Sequence, residues 1–273
     1  MRDTKTITVN MDKGGTGKTS IAYNLAKWLS GVLHSNVLLI DGDESCNMTR
    51  PFGTYNLGES SVEDIFLKKE VEIYHIEENL DFIRGSKGLN DENLNLASKQ
   101  NNCLIMFMWI YNNQELLSKY DYIIIDTHND TSRVTYNFLA VADIVLGVTD
   151  PSVDGYIAWD ELVETIELLK RELVTLPSNE SLVTAEPYLL ANKVYHIGRS
   201  SKQFLESVEV EGNYIGMIQR KELIASSLPE GQSIFEMRDK MGATEKKKHQ
   251  KFYENVDAIF NRIINLAGGE ENA

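Results

Sequence analysis

Short apolar runs rich in β-branched residues alternate along the chain with longer stretches whose apolar positions recur every three to four residues. Residues 6–9, 37–40, 122–125, 144–148 and 188–191 predict strands, and 19–29, 104–118, 131–141, 156–172 and 200–208 predict helices between them. The strand runs are apolar at consecutive positions, so both faces of each strand must be covered. Helical crossovers also permit neighbouring strands to run in the same direction, and together these features predict an α/β fold, a mostly parallel twisted sheet flanked by helices. A last helix is predicted over residues 244–266, with Gly268-Gly269 as its stop. Residues 52–101 interrupt the alternation with polar, Asn-rich sequence and predict an excursion from the body rather than a second domain. With 273 residues and 42% apolar composition, one core is expected to serve a single domain spanning 1–273.

The first predicted strand runs into Asp12-Lys13-Gly14-Gly15-Thr16-Gly17-Lys18-Thr19-Ser20 and then into a helix. Gly14, Gly15 and Gly17 let successive backbone N–H groups turn onto a phosphate, and the helix start at Thr19 and Ser20 adds its dipole. Lys18 is expected to reach the β- and γ-phosphates of ATP, and the Thr19 hydroxyl to ligate Mg2+. Asp12 stands where the common GxxxxGK[ST] pattern has its first glycine. The phrase Lys13-Gly14-Gly15-Thr16-Gly17-Lys18-Thr19 instead resembles the deviant Walker A motif of the ParA/MinD ATPases. The resemblance implies a P-loop ATPase fold and a homodimer that sandwiches ATP, with Lys13 crossing to the partner's nucleotide.

The second strand ends in Asp41-Gly42-Asp43, two carboxylates at the mouth of a nucleotide site. The stretch from Asp41 to Thr49 is similar to the family phrase DxDPQGNxT, with Glu44, Ser45 and Cys46 replacing Pro, Gln and Gly. By that match Asp43 positions the attacking water and Asp41 lies near Mg2+. Tyr120 to Thr127 reads as a buried strand ending in a carboxylate, a Walker B arrangement in which Asp126 serves the metal through a water or Thr19. It resembles the family phrase YDYIIIDTPP, except that His128-Asn129-Asp130 follow where the proline pair would stand. Phosphoryl transfer rests mainly on positioning and electrostatics, so His128 need not be a catalytic base and is read first as a loop or switch residue.

Further along, Asn192 closes the strand after which the family places an adenine-contacting side chain. Arg220 and Gly231 reproduce a ParA spacing that sets Pro229 beside the base. Leu223 stands where family members often carry a second basic residue, so DNA contacts on that side are assigned to Arg199, Lys202 and Lys221 with Arg220.

Charge then separates the members of the class. The net charge of −14 excludes a uniformly basic surface, but residues 238–251 hold six Lys or Arg against two acids, a local +4 that leaves −18 for the remainder. Lys246, Lys247, Lys248 and Lys251 in that segment are candidates for contacts to DNA phosphates, which carry no sequence information. The apolar stripe of the last helix, Phe252 to Ile264, is interleaved with acids and reads as core packing rather than as a membrane-inserting face. Cys46 and Cys103 form neither a CxxC pair nor a disulfide framework, and no leader or membrane span is evident, so a cytoplasmic, nucleoid-associated protein is expected. Only eleven residues precede Asp12, so the chain resembles the short ParA type. Its expected role is ATP-driven partition of a plasmid or chromosome region, with a centromere-binding ParB/ParR-like partner supplying sequence recognition. The competing expectation is a MinD-like positioning ATPase on a membrane or protein scaffold.

Overall fold

Strands buried on both faces organise the molecule. The computed structural model describes residues 4–53, 58–195, 199–209 and 212–269, with only the backbone described for 199–203. In chain order, β1 (Lys5–Asn10), α1 (Lys18–Gly31) and β2 (Val37–Gly42) are followed by α2 (Val62–Phe66), β3 (Tyr74–Glu77) and β4 (Leu80–Ile83). Then come α3 (Ile105–Asn112), α4 (Gln114–Leu117), β5 (Tyr122–Thr127), α5 (Arg133–Ala140), β6 (Ile144–Thr149) and α6 (Val153–Glu172). The chain continues through β7 (Glu186–Val194), α7 (Arg199–Val208), β8 (Tyr214–Gln219), α8 (Glu222–Glu230), α9 (Ile234–Lys240) and α10 (Ala243–Ala267). The sheet order is β3-β4-β2-β5-β1-β6-β7-β8, and the one antiparallel pair among the described strands is β3 with β4 at the edge.

Every residue of β2 and of β6 is buried, as consecutive apolar positions require. Alternate residues of β2 feed opposite layers. Val37 and Leu39 join a core with α1, α9 and α10, whereas Leu38 and Ile40 pack with α2, α3 and α5. A third cluster joins α6 to β6 and β7.

Sequence patterning misplaces several elements, each for a physical reason. The segment expected as a polar excursion contains α2, β3 and β4, and the last two extend the sheet. These strands are only four residues long, with Tyr74, Leu80, Phe82 and Ile83 buried, too few positions to stand out from their polar surroundings. Strand β8 is a half-buried edge strand. The single helix expected over 104–118 breaks at Asn113 into α3 and α4. Helix α9, seven residues long, is fixed at its start by a capping box between Ser233 and Glu236.

The last helix is a core element. Phe252, Tyr253, Val256, Ile259, Phe260 and Ile263 are buried. Trp28 of α1 meets Phe260 edge-on at a centroid distance of 5.6 Å and donates its indole N–H to Asp257 at 2.9 Å. Among the described residues no helix is long and apolar enough to cross a membrane. Because Phe260 is fully buried, Phe260→Ala should lower stability by about 3–5 kcal/mol in urea unfolding. A loss below about 1 kcal/mol would show that this helix does not belong to the core.

Candidate functional site

Parallel pairing sets the site. Asp126 at the end of β5 lies opposite Asp41 of β2 on one side and Val9 of β1 on the other, so three strand ends open onto one edge of the sheet. The loop from β1 to α1 turns there through two left-handed glycines, Gly15 at φ 74° and Gly17 at φ 99°. A Cβ on Gly17 would lie 2.5 Å from the Asn192 side-chain nitrogen, so this position admits only glycine.

The end of β7 holds that loop in place. Asn192 Nδ2 donates to the Thr16 carbonyl at 2.8 Å, and Lys193 Nζ donates to the Gly15 carbonyl at 2.6 Å. Asn192, expected beside adenine, is therefore buried as a brace for the phosphate loop. Lys18 is 7% exposed and donates to the carbonyls of Met11 at 3.0 Å and Lys13 at 3.4 Å. Burial lowers its pKa, and the carboxylates of Asp126, Asp43, Asp12 and Asp130 pull the other way. The Lys13 ammonium contacts Asp150 Oδ1 and Ser152 Oγ of the same chain, each at 2.5 Å.

A cavity of about 530 Å3 opens over the loop. Its lining brings together the candidates at residues 15–20, Asp43 and Pro229, without Lys13 or Gly14, and also includes Asn47, Arg50, Pro51, Asn129, Lys193 and Leu228. Lys193 directly follows Asn192, and this adjacency was the available signal. Asn129 belongs to the segment that stands in place of the proline pair after Asp126, whereas nothing in the sequence singles out Arg50.

The three acids play different parts. Asp126 is fully buried, and neither carboxylate oxygen accepts a hydrogen bond of normal geometry, although the Thr19 hydroxyl is near enough to favour the charged form. Burial raises its pKa well above the ordinary value, and the Asp41 and Asp43 charges add to that. Asp41, expected near the metal, is committed elsewhere. Its Oδ1 accepts from Asp43 N at 3.2 Å, and its Oδ2 accepts from Thr49 N at 2.8 Å and Thr49 Oγ1 at 2.6 Å. Burial, only partly offset by these bonds, moves its pKa up to about 6. This geometry makes Asp41 the organiser of the turn that carries Asp43. Asp43 Oδ1 accepts from Ser45 N at 2.8 Å and lies 2.7 Å from His128 Nδ1, so His128 reaches into the site instead of ending in its loop.

Other predicted residues lie apart. Arg220 and Lys221 border a second cavity of about 270 Å3 together with Asn192 and Lys193, and the Arg220 guanidinium stacks on Tyr195 at 5.3 Å. Lys246, Lys247, Lys248 and Lys251 are exposed on α10 and do not line the phosphate-loop cavity. The side chains of Arg199 and Lys202 lie outside the described residues.

Residues 4–184 match the AAA domain family AAA_31. A ParA family protein of Chlamydia pneumoniae is 32% identical over 161 residues, which are 54% of this chain and 59% of that protein. The sporulation initiation inhibitor protein Soj of Bacillus subtilis is 28% identical over 63% of this chain and 68% of its own. A putative plasmid partition protein of Borrelia burgdorferi, solved with AMPPNP, superposes with a TM-score of 0.73 at 22% identity, covering 95% of this chain and 99% of that one. An ATP complex of a McdA variant from Cyanothece gives 0.79 at 18% identity over 100% of this chain and 99% of that one. The chain belongs to the AAA_31 family of AAA domains and is a P-loop ATPase of the ParA/MinD class.

Proposed function

We propose that the chain is an ATP-dependent, dimerising partition ATPase that binds DNA without regard to sequence and segregates a plasmid or chromosome region with a centromere-binding partner of the ParB/ParR kind. The observation that carries it is the buried, unpartnered Asp126 carboxylate beside Lys18 and Thr19 at the foot of the phosphate loop.

That carboxylate fits Mg2+. No cluster of three or more His, Cys, Asp or Glu side chains suited to a metal occurs among the described residues. A Mg2+ that keeps its waters and takes one or two protein groups plus phosphate oxygens needs no such cluster. Thr19 and Asp126 would hold it, and when bound it offsets charge on the β- and γ-phosphates. The chain's own groups do the rest. Backbone N–H groups of residues 14–19 cradle the phosphates and Lys18 meets the β/γ oxygens, while Pro229 and Leu228 flank the base and Asp43 orients the attacking water.

Two further observations support the assembly. Val153 and Ile157, 76% and 49% exposed, begin α6 next to the Ser152 contact of Lys13 and offer apolar surface to a second subunit. The apolar stripe of α10 is occupied in the core while its four lysines stay exposed, and this favours DNA over a membrane as the scaffold. A partner engaging the ATP-bound dimer would then raise a low basal turnover.

The pH dependence follows from Asp126. Its folded pKa lies above the ordinary 3.8, so ionising it opposes folding, and stability is lost as pH rises above that ordinary value. Nucleotide-free Asp126→Asn should therefore exceed wild type in stability by a margin that is larger at pH 8 than at pH 5, while Mg2+ no longer tightens its ATP binding. A margin that shrinks with rising pH in denaturant titrations would contradict this. Asp43→Ala should bind ATP and remain dimeric in light scattering while phosphate release falls by about tenfold or more, since it removes water orientation and no phosphate contact. Wild-type turnover would exclude the assigned role. The partition reading itself is tested with Lys247→Glu/Lys248→Glu. Wild type should retain DNA only with ATP and Mg2+, with a log–log salt slope of about −0.9 per phosphate neutralised. The double variant should lose DNA in mobility shifts yet dimerise normally with ATP, and a wild type that sediments with anionic vesicles instead of DNA would favour the MinD-like reading.

A further inference from the structure

The loop after β5 is fastened at both ends. Before it, the Thr127 hydroxyl donates to the Val9 carbonyl at 2.9 Å and accepts from Asn10 Nδ2 at 2.7 Å. After it, Asp130 Oδ1 accepts from Ser132 N at 3.2 Å, Ser132 Oγ at 2.9 Å and Thr135 Oγ1 at 2.5 Å, and Ser132 caps α5. Between these anchors stand His128 and Asn129. Asn129 sits over Gly14, where a Cβ would lie 3.7 Å from its Nδ2. His128 is left facing the turn that follows β2, with Nδ1 2.7 Å from Asp43 Oδ1.

An ionised carboxylate only accepts hydrogen bonds, so the hydrogen of this contact sits on Nδ1, whether the ring is neutral or charged. With Ser45 N on the same oxygen, Oδ1 has two donors, one from its own turn and one from across the site. The first fixes the turn and the second fixes the side-chain torsion. Oδ2 is then the oxygen free to hold a water. A proline in place of His128, as in the family phrase, has no side-chain donor to give.

We propose that His128 is a positioning residue for hydrolysis, whose Nδ1–H clamps Asp43 Oδ1 and thereby sets Oδ2 against the attacking water. The inference rests on the assignment of Asp43 to water orientation, and the test separates the two. A carboxylate released from one of its two donors can swing by an ångström or more, and displacements of that size cost up to about a hundredfold in rate. Nucleotide affinity is untouched, because the clamp contacts no phosphate.

The experiment compares wild type with His128→Ala, His128→Asn, Asp43→Ala and the Asp43→Ala/His128→Ala pair in the full chain. It measures kcat by phosphate release and the Kd of a non-hydrolysable ATP analogue by calorimetry. His128→Ala should lose about tenfold or more in kcat while the Kd stays within about twofold. Asn presents its Nδ2 near the site of the imidazole Nδ1, so His128→Asn should recover most of the loss. The double variant should be no slower than Asp43→Ala, since a clamp has no effect without the group it holds. If Asp43→Ala is inactive but His128→Ala turns over normally, the clamp is refuted and the role of Asp43 stands. Normal turnover in Asp43→Ala would refute both. A loss of kcat and affinity together, equal in the Ala and Asn variants, would reduce His128 to a structural residue and overturn the proposal.

Discussion

Everything at the site depends on β5 lying between β1 and β2 in parallel register. Because the three strands point the same way, the phosphate loop, the Asp41–Asp43 turn and the His128 loop leave the sheet at one edge. Parallel neighbours cannot be joined by a tight turn, so each connection must travel back over a face of the sheet. Helix α1 makes that return after β1, and its first residue is Lys18. The topological requirement and the phosphate-binding helix start are therefore met by the same element.

Charge then decides how the edge is used. Four carboxylates, Asp126, Asp43, Asp12 and Asp130, act on Lys18, so the field on its ammonium is negative before any phosphate arrives. Burial compounds this at Asp126, whose raised pKa records how poorly its charge is tolerated by protein alone. A polyphosphate by itself would worsen the imbalance. Were Asp126 to hold a divalent cation beside the phosphates, the cation would supply the missing charge to both, and nucleotide and metal would be expected to bind as a unit.

How much of this was legible in the sequence varied with the range of the contacts. The glycine and lysine spacing of the loop is a local demand of backbone geometry, and the apolar run ending at Asp126 is a local demand of burial, so both could be read directly. Strands β3 and β4 could not, because four buried side chains in eight positions do not rise above a polar background. Contacts across the sheet edge were equally hidden. Asn192 meets Thr16 across 176 positions, and His128 meets Asp43 across 85. Nothing in the spacing of either pair announces the meeting. Asp41 shows the opposite limit: its place at the strand end was legible, but the choice between metal and Thr49 depended on where the following turn put a hydroxyl.

Lys13 joins these arguments to assembly. Its ammonium now satisfies Asp150 and Ser152 on the surface side of the loop, with 22% and 35% of the lysine and aspartate side chains exposed. An ion pair open to solvent to that degree is worth about 0–1 kcal/mol, so it orders the lysine without trapping it. A phosphate in a dimer interface closed to water would offer a stronger, less screened partner. In the proposed dimer the same lysine would rest on Asp150 and Ser152 until a nucleotide faced it, and a contact this weak would not hold it back.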